Sequence, residues 1–462
     1  MKILIVGAGK LGYKIASAIS TTSADITVVD NDAEVLDKVR EHLDVLTIKA
    51  SGVQIEALQN INIGTFDLAI AVTDSDETNI IVCSLAKKLG CKKTIARIRG
   101  PEYSQQKSFL MSIMGIDYAV NPELATANEI IRYLLRGYTF YAEDFAEGKV
   151  LMIDFNASNI KDFIGKKLKE LDISGLLVAA ISRNGEVIIP HGESQILDGD
   201  VLYIIGNRDS INQFSKKCKT SLPAKYVKKV MILGGGKIGY YLAENLIRLG
   251  MQVKIIEQDK SRCEYLSEKL ENALVICGDG SDLTLLEEEG INIMDAFVGV
   301  TGYDEENLLM TLMAKRLGVK KAVAKVSKSS YAHIIERLGV DVALNPLDIT
   351  ASDILRFIRG GRTVSVSLLL GGQAEVTEII ADEDMPIVGK RIADLGLPKG
   401  IIIGAVSHKG KVFIPNGNSV IYPGDRFVVL CLPSAFLALE AFFKPSKGGL
   451  FSELWNHSKG NR

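Results

Sequence analysis

Charge of one sign is what this sequence lacks most plainly. Lys and Arg total 54 against 56 Asp and Glu, a formal net charge of −2. Nucleic-acid grooves and anionic-membrane patches need a basic excess, so neither partner is expected. Hydrophobic residues make up 47% of the chain, yet no uninterrupted apolar run approaches the ~20 residues that cross a bilayer. The longest runs, Gly175 to Ile181 and Gly400 to Val406, have the length of buried strands. The sequence opens directly on a strand pattern, so no signal peptide is expected. Six cysteines (Cys83, Cys91, Cys218, Cys263, Cys277, Cys431) show no CxxC or His-partnered spacing. That spacing excludes a zinc frame or disulfide scaffold and fits reduced thiols, mostly in core positions. No GxxxxGK[ST] loop occurs, and no Ser-His-Asp or Cys-His arrangement suggests itself. The expectation is a soluble, intracellular α/β protein, and 462 residues at ~150 per domain allow about three domains.

What the chain does have is glycine in a fixed pattern. Ile3-Leu4-Ile5-Val6 reads as a buried parallel strand and runs into Gly7-Ala8-Gly9-Lys10-Leu11-Gly12. Leu11, Ile15, Ala18 and Ile19 then give a helical stripe. Gly7 permits the tight turn, Gly9 lets backbone approach a pyrophosphate, and Gly12 lets helix and strand pack closely. Phosphates would sit at the helix N-terminus, where unpaired N–H groups and the helix dipole favour negative charge. A second strand, Asp25 to Val29, ends on Asp30, 23 residues after Gly7, the spacing of a carboxylate that receives a ribose diol.

The pattern returns 227 residues later, Gly234 answering Gly7. Gly234-Gly235-Gly236-Lys237-Ile238-Gly239 repeats the turn, and Glu257 matches Asp30 at the same offset. Val72-Thr73-Asp74-Ser75-Asp76-Glu77-Thr78-Asn79 returns as Val300-Thr301-Gly302-Tyr303-Asp304-Glu305-Glu306-Asn307, and Gly115 to Pro122 returns as Gly339 to Pro346. The stretch from Asn184 to Asp200 answers Lys409 to Asp425. The chain is a tandem duplication whose halves each have two parts. Strand patterns at 2–6, 25–29, 45–49, 67–72, 94–98 and 117–120, with helices between, predict a doubly wound parallel sheet. A helix containing Ile130, Leu134 and Leu135 follows, then short strands with one short helix, Gly165 to Leu171. Arg183-Asn184-Gly185 marks a hairpin between Leu176–Ser182 and Glu186–Ile189. The expected fold is thus α/β, two Rossmann-like domains each followed by a small α+β module. The parts are residues 1–138, 139–220, 228–360 and 361–444. Ser215 to Lys229 reads as a linker, and the tail after Lys444 as mobile apart from Leu450 to Trp455.

The two copies control one another, because a functional residue should recur or change for a reason. Lys10 and Lys237 recur within reach of a phosphate, and Thr73 and Thr301 recur at a strand end. Arg97 in the first half faces Lys325 in the second, and only arginine can hold a phosphate bidentately. Asp76-Glu77 and Asp304-Glu305 could be paired catalytic carboxylates, but a helix N-terminus that favours acidic residues accounts for them more simply. Asn79 and Asn307 are expected to line the same crevices. A dehydrogenase needs a proton donor or acceptor near the nicotinamide. None of His42, His191, His333, His408 and His457 is matched in the other half, so an NAD-dependent oxidoreductase is the weaker alternative.

Taken in this order, the residues resemble the RCK (KTN) domain family. The features are the Gly7–Gly12 turn, Asp30, Val72-Thr73 through Asn79, Ala96-Arg97-Ile98-Arg99, and a module with Pro190 and Leu197-Asp198-Gly199-Asp200. Two such units without a pore segment resemble the regulatory subunits of bacterial and archaeal Trk potassium-uptake systems, over about residues 1 to 440. The resemblance implies NAD(H) or ATP/ADP as ligand and a peripheral, cytoplasmic location. It also implies assembly as a homotetramer, an eight-unit ring, on a membrane-embedded potassium transporter of the TrkH/TrkG type. It implies a first site of Gly7, Ala8, Gly9, Lys10, Leu11, Asp30, Thr73, Asp74 and Arg97. The second would use Gly234, Gly235, Gly236, Lys237, Ile238, Glu257, Thr301 and Lys325. Lys325, Gly302 and Tyr303 depart from the first half, so the second ligand is left open.

Overall fold

A computed structural model describes residues 1–20, 24–104, 106–135, 142–171, 173–217, 227–328, 331, 340–359, 363–369 and 372–443. The first parallel sheet comprises β1 (Lys2–Val6), β2 (Asp25–Asp30), β3 (Leu46–Lys49), β4 (Leu68–Ala71), β5 (Lys93–Arg97) and β6 (Tyr118–Val120). Their spatial order is β3-β2-β1-β4-β5-β6, all parallel. Helices cover both faces of such a sheet, so its central strands must be apolar on both sides. Ile3, Leu4 and Ile5 of β1, with Ala69, Ile70 and Ala71 of β4, are accordingly fully buried. The order reverses between β1 and β4, which opens a crevice beyond their carboxyl ends.

The first small module is an antiparallel sheet of β7 (Ala142–Phe145), β8 (Val150–Asn156), β9 (Leu176–Arg183), β10 (Glu186–Ile188) and β11 (Val201–Asn207), ordered β10-β9-β11-β8-β7. Asn184 and Gly185, at φ 54° and 84°, make the two-residue hairpin turn that the sequence predicts. The short helix expected at Gly165–Leu171 is instead a 3-10 turn at Leu168–Glu170. The amides of Leu168 and Lys169 donate to the carbonyls of Ser194 and Gly192, which ties this turn to the loop before β11.

The second parallel sheet repeats the first with β12 (Lys229–Leu233), β13 (Gln252–Glu257), β14 (Ala273–Cys277), β15 (Ala296–Gly299), β16 (Lys321–Lys325) and β17 (Val342–Leu344), ordered β14-β13-β12-β15-β16-β17. The last sheet contains β18 (Thr363–Leu369), β19 (Ala374–Ile380), β20 (Ile401–His408), β21 (Lys411–Phe413) and β22 (Arg426–Cys431), ordered β18-β19-β22-β20-β21. Its topology repeats that of the first module. The inner faces of the two modules share one core, with Met152, Tyr203 and Ile205 against Val376, Ala405, Val428 and Leu430.

The chain forms two compact units that do not follow the two halves. One joins residues 1–122 to the helix residues from Leu347 onward; the other begins at Glu123 and holds both small modules and the second parallel sheet. The helix that follows each parallel sheet is therefore given to the other copy. In the first unit, helix Pro346–Arg359 is received by Lys14, which pairs with Asp348 at 2.6 Å, and by Tyr118, stacked on Phe357 at 4.8 Å. In the second, helix Pro122–Leu135 ends on Lys321, whose buried ammonium donates to the carbonyls of Tyr133 and Leu134 at 2.9 and 3.0 Å. A cation suits that position, because the last carbonyls of a helix lack intrahelical donors. The expected linker between Cys218 and Tyr226, Cys218 itself, His333, His457 and the tail from Lys444, including Leu450 to Trp455, lie outside the described residues.

Candidate functional site

The first crevice begins at Gly7. Its φ of +102° is open to few residues, and a Cβ there would stand 2.9 Å from the Thr73 amide. A Cβ on Gly12 would meet the Gly7 carbonyl oxygen at 1.8 Å, so helix Lys10–Ser20 rests directly on the turn. Gly9 differs from both, because nothing lies within 4 Å of the place its Cβ would take. The Tyr13 amide donates to the Gly9 carbonyl, which makes Gly9 the cap of that helix. The amides of Lys10, Leu11 and Gly12 precede the helical ladder and are the donors an anion would use. Lys10 and Gly9 are exposed, whereas the side chains of Ala8 and Leu11 are buried, so these two can offer only backbone.

Asp30, at the end of β2, is oriented before any ligand arrives. One carboxylate oxygen accepts the Ala8 amide at 2.6 Å and the other the Asp32 amide at 3.0 Å. Each oxygen keeps a lone pair for a further donor, such as a sugar hydroxyl. In the second copy Glu257 does the same, accepting Gly235 at 2.7 Å and Asp259 at 2.9 Å. Gly234 repeats the turn at φ +103°, and Gly236 caps helix Lys237–Arg248 with open space around its missing Cβ. Lys237 is exposed and Ile238 buried. The second rim has one added feature. Arg262 donates from Nε to the Gly235 carbonyl at 2.6 Å, and its guanidinium lies 4.6 Å from the centre of the Tyr265 ring.

The far side of each crevice is organised by an asparagine, and here the expectation needs correcting. Asn79 and Asn307 do not line the crevice, because both are fully buried. Asn79 Oδ1 accepts the Thr73 amide at 2.8 Å and the Thr73 hydroxyl at 2.7 Å, while Nδ2 donates to the carbonyls of Thr73 and Arg97. Asn307 accepts the Thr301 amide at 2.8 Å and donates to the carbonyls of Thr301 and Lys325. Each amide thus ties the residue after one strand to the end of the next, fixing where Thr73, Arg97, Thr301 and Lys325 stand. The recurrence of Asn at the same distance from Thr was the signal for this role. Asp76 and Asp304 are also more than dipole partners. Asp76 accepts the amides of Arg99 and Gly100, and Asp304 those of Ser327 and Lys328, which clamps the loop after β5 and β16.

Neither strand-end cation is a solvated surface charge. The Arg97 side chain is largely buried and reaches 3.8 Å from the fully exposed Asp74 carboxylate. Lys325, equally buried, donates to the Thr301 carbonyl at 2.8 Å and lies 3.7 Å from Asp304. The structure therefore brings Gly7, Gly9, Lys10, Asp30, Thr73, Asp74 and Arg97 around one set of strand ends and Gly234, Gly236, Lys237, Glu257, Thr301 and Lys325 around the other. Among the described residues no helix is long and apolar enough to cross a membrane.

Duplicated parallel sheets, each with a glycine turn facing a preset carboxylate, define a tandem Rossmann-like protein with a crevice at the strand ends of each copy. Family comparison is more specific. The TrkA-N domain matches residues 3–122 and 230–346, and the TrkA-C domain residues 159–219 and 376–444. The chain belongs to the family that these two domains define. It is 37% identical over 453 residues to Trk system potassium uptake protein TrkA homolog 1 of Methanosarcina mazei, covering 96% of this chain and 100% of that one. It is 33% identical over 457 residues to the Trk system potassium uptake protein TrkA of Vibrio alginolyticus, with coverages of 96% and 99%. Among solved structures, the GsuK RCK domain aligns at a TM-score of 0.54 and 18% identity, covering 95% of this chain and 94% of that one. The GsuK channel bound to NAD aligns at 0.54 and 18%, with coverages of 96% and 78%. At that identity the likeness establishes the fold, an RCK-type arrangement.

Proposed function

We propose that this chain is a nucleotide-binding regulatory subunit that gates a membrane-embedded potassium transporter of the TrkH/TrkG type without making or breaking a bond. The observation that carries the proposal is the duplicated crevice, in which Asp30 and Glu257 are each held by two backbone amides opposite an open helix N-terminus. Relatives matched over nearly their full length are Trk potassium uptake proteins, which supports the partner. The site residues are those named from the sequence, with Ala8, Leu11, Gly235 and Ile238 acting through backbone alone. NAD(H) and ATP/ADP share the adenosine ribose that Asp30 would hold, and NAD is the first ligand to try because the GsuK channel was solved with it. The four parts 1–138, 139–220, 228–360 and 361–444 are the working modules. The subunit acts as a homotetramer on the cytoplasmic face of the membrane. Support for assembly comes from apolar side chains left exposed at matching places, Ile81 and Leu309, with Phe109 and Ile113 exposed on the helix Lys107–Met114 that packs against the first. For occupancy to regulate, a nucleotide must bind two arrangements of the assembly with different affinity.

The test is equilibrium binding of NAD, NADH, ATP and ADP to the full chain, followed by potassium uptake in cells carrying the transporter with and without it. Binding of at least one of the four, and uptake that depends on the chain, are expected. A chain indifferent to all four would overturn the reading. Turnover of NADH with a small substrate would favour the oxidoreductase instead.

A further inference from the structure

Two cysteines that are 14 positions apart in the sequence meet at the rim of the second crevice. Cys263 sits on helix Lys260–Lys269 and Cys277 is the last residue of β14, the register partner of Glu257. Their thiols are close enough that Cys277 raises the cost of ionising Cys263. They also address consecutive carbonyls, Cys263 donating to Glu257 at 3.3 Å and Cys277 to Gln258 at 4.0 Å. The two differ in access, Cys263 being buried and Cys277 exposed. The corresponding positions of the first copy hold no cysteine. Leu36 takes the place of Cys263 in helix Ala33–His42, and Lys49 pairs with Asp30 where Cys277 pairs with Glu257.

We propose that Cys263 and Cys277 form a redox modification site, oxidised by a low-molecular-weight disulfide to an intramolecular disulfide that weakens the hold of Glu257 on a nucleotide. The thiolate of exposed Cys277 attacks one sulfur of the incoming disulfide, forming a mixed disulfide and expelling one thiolate. Cys263 then attacks the Cys277 sulfur. The Cys263–Cys277 bond forms, the mixed disulfide breaks, and the proton of Cys263 leaves with the second thiol. Two protein thiols are oxidised and one disulfide molecule is reduced to two thiols. Exposure and thiolate character decide which cysteine reacts first. Burial, with the neighbouring Cys277 thiol, pushes Cys263 up to about 12, which keeps it protonated and leaves the first attack to Cys277. Closing the bond draws Cys263 from the Glu257 carbonyl and fixes the carboxyl end of β14 against the helix, at the point where Glu257 must face a ribose. The effect on the nucleotide rests on the function proposed above; the chemistry of the thiols does not.

The experiment treats reduced full-length protein with oxidised glutathione, counts free thiols and maps disulfide-linked peptides. Two thiols should disappear together, a peptide linking positions 263 and 277 should appear, and dithiothreitol should reverse both. Cys263→Ser should stop at a stable glutathione adduct on Cys277, and Cys277→Ser should leave Cys263 unmodified. A wild-type protein that also stops at the adduct, or never reacts, overturns the proposal. NAD affinity is then measured on full-length Gly9→Asp protein, which reports the second crevice alone. A severalfold loss on oxidation, restored by dithiothreitol, is expected, and unchanged affinity with the disulfide formed overturns the link to Glu257. Failure of the reduced protein to bind any nucleotide would count against the nucleotide reading, while the peptide map still decides the thiol pair.

Discussion

Gly9→Asp separates binding from folding in the first crevice. Gly9 caps helix Lys10–Ser20, and no atom lies within 4 Å of the position its Cβ would occupy. Aspartate is a favoured helix cap, and replacing glycine there changes stability by only a few tenths of a kcal/mol. The same carboxylate would stand where an anion approaches the amides of Lys10 and Leu11. At about 5 Å from a phosphate charge and an effective dielectric of about 20, the repulsion is about 3 kcal/mol, or about two orders of magnitude in Kd. The variant should unfold at the wild-type temperature or slightly above it while losing nucleotide at the first crevice by about a hundredfold. Calorimetric titration with thermal unfolding on the same sample checks both halves. Wild-type affinity would mean that phosphates do not rest on this turn. A large fall in unfolding temperature would mean that the space beside Gly9 is not free.

Two further perturbations address the frame around the crevices. Asn79→Ala should destabilise the first unit by about 3 kcal/mol, because it removes the acceptor of the half-buried Thr73 amide and the tie to the Arg97 carbonyl. Denaturant unfolding reads this directly, and a change under about 1 kcal/mol would refute the bracket. Glu305 is held down to about 2 by hydrogen bonds from Lys328 and Tyr331. A lowered carboxylate contributes stability above its ordinary value of 4.5 and loses it as pH falls towards about 2. Glu305→Gln should therefore unfold earlier than wild type near neutral pH, with the difference vanishing towards pH ~2. A difference that persists in acid would show that the charge is not the cause.

Much of this architecture was legible because its signals are local. Strands such as Ile3 to Val6, apolar on both faces, can only be central in a parallel sheet, and the glycine turn needs no tertiary information. The exchanged helices were not legible, since Pro122 and Pro346 announce where a helix starts but not which copy receives it. That choice rests on Lys321 beneath Tyr133 and on Tyr118 against Phe357, pairs separated by more than a hundred positions. Asn79 was misplaced for a related reason. A polar residue next to a crevice reads as a ligand contact unless its partners, here two backbone carbonyls, an amide and a hydroxyl, can be counted. What recurs between the copies and what diverges then separate by physics. On the proposed function, the turn, the preset carboxylate and the asparagine bracket recur because any bound anion with a diol needs the same seat. Arg97 beside Asp74 and Lys325 on the Thr301 carbonyl diverge. Lysine must release that carbonyl before it can meet a phosphate, and it offers a point charge where arginine offers a fork. On the proposed reading, the two crevices therefore meet a phosphate with different cations held by different partners, and they respond to different concentrations of the same nucleotide.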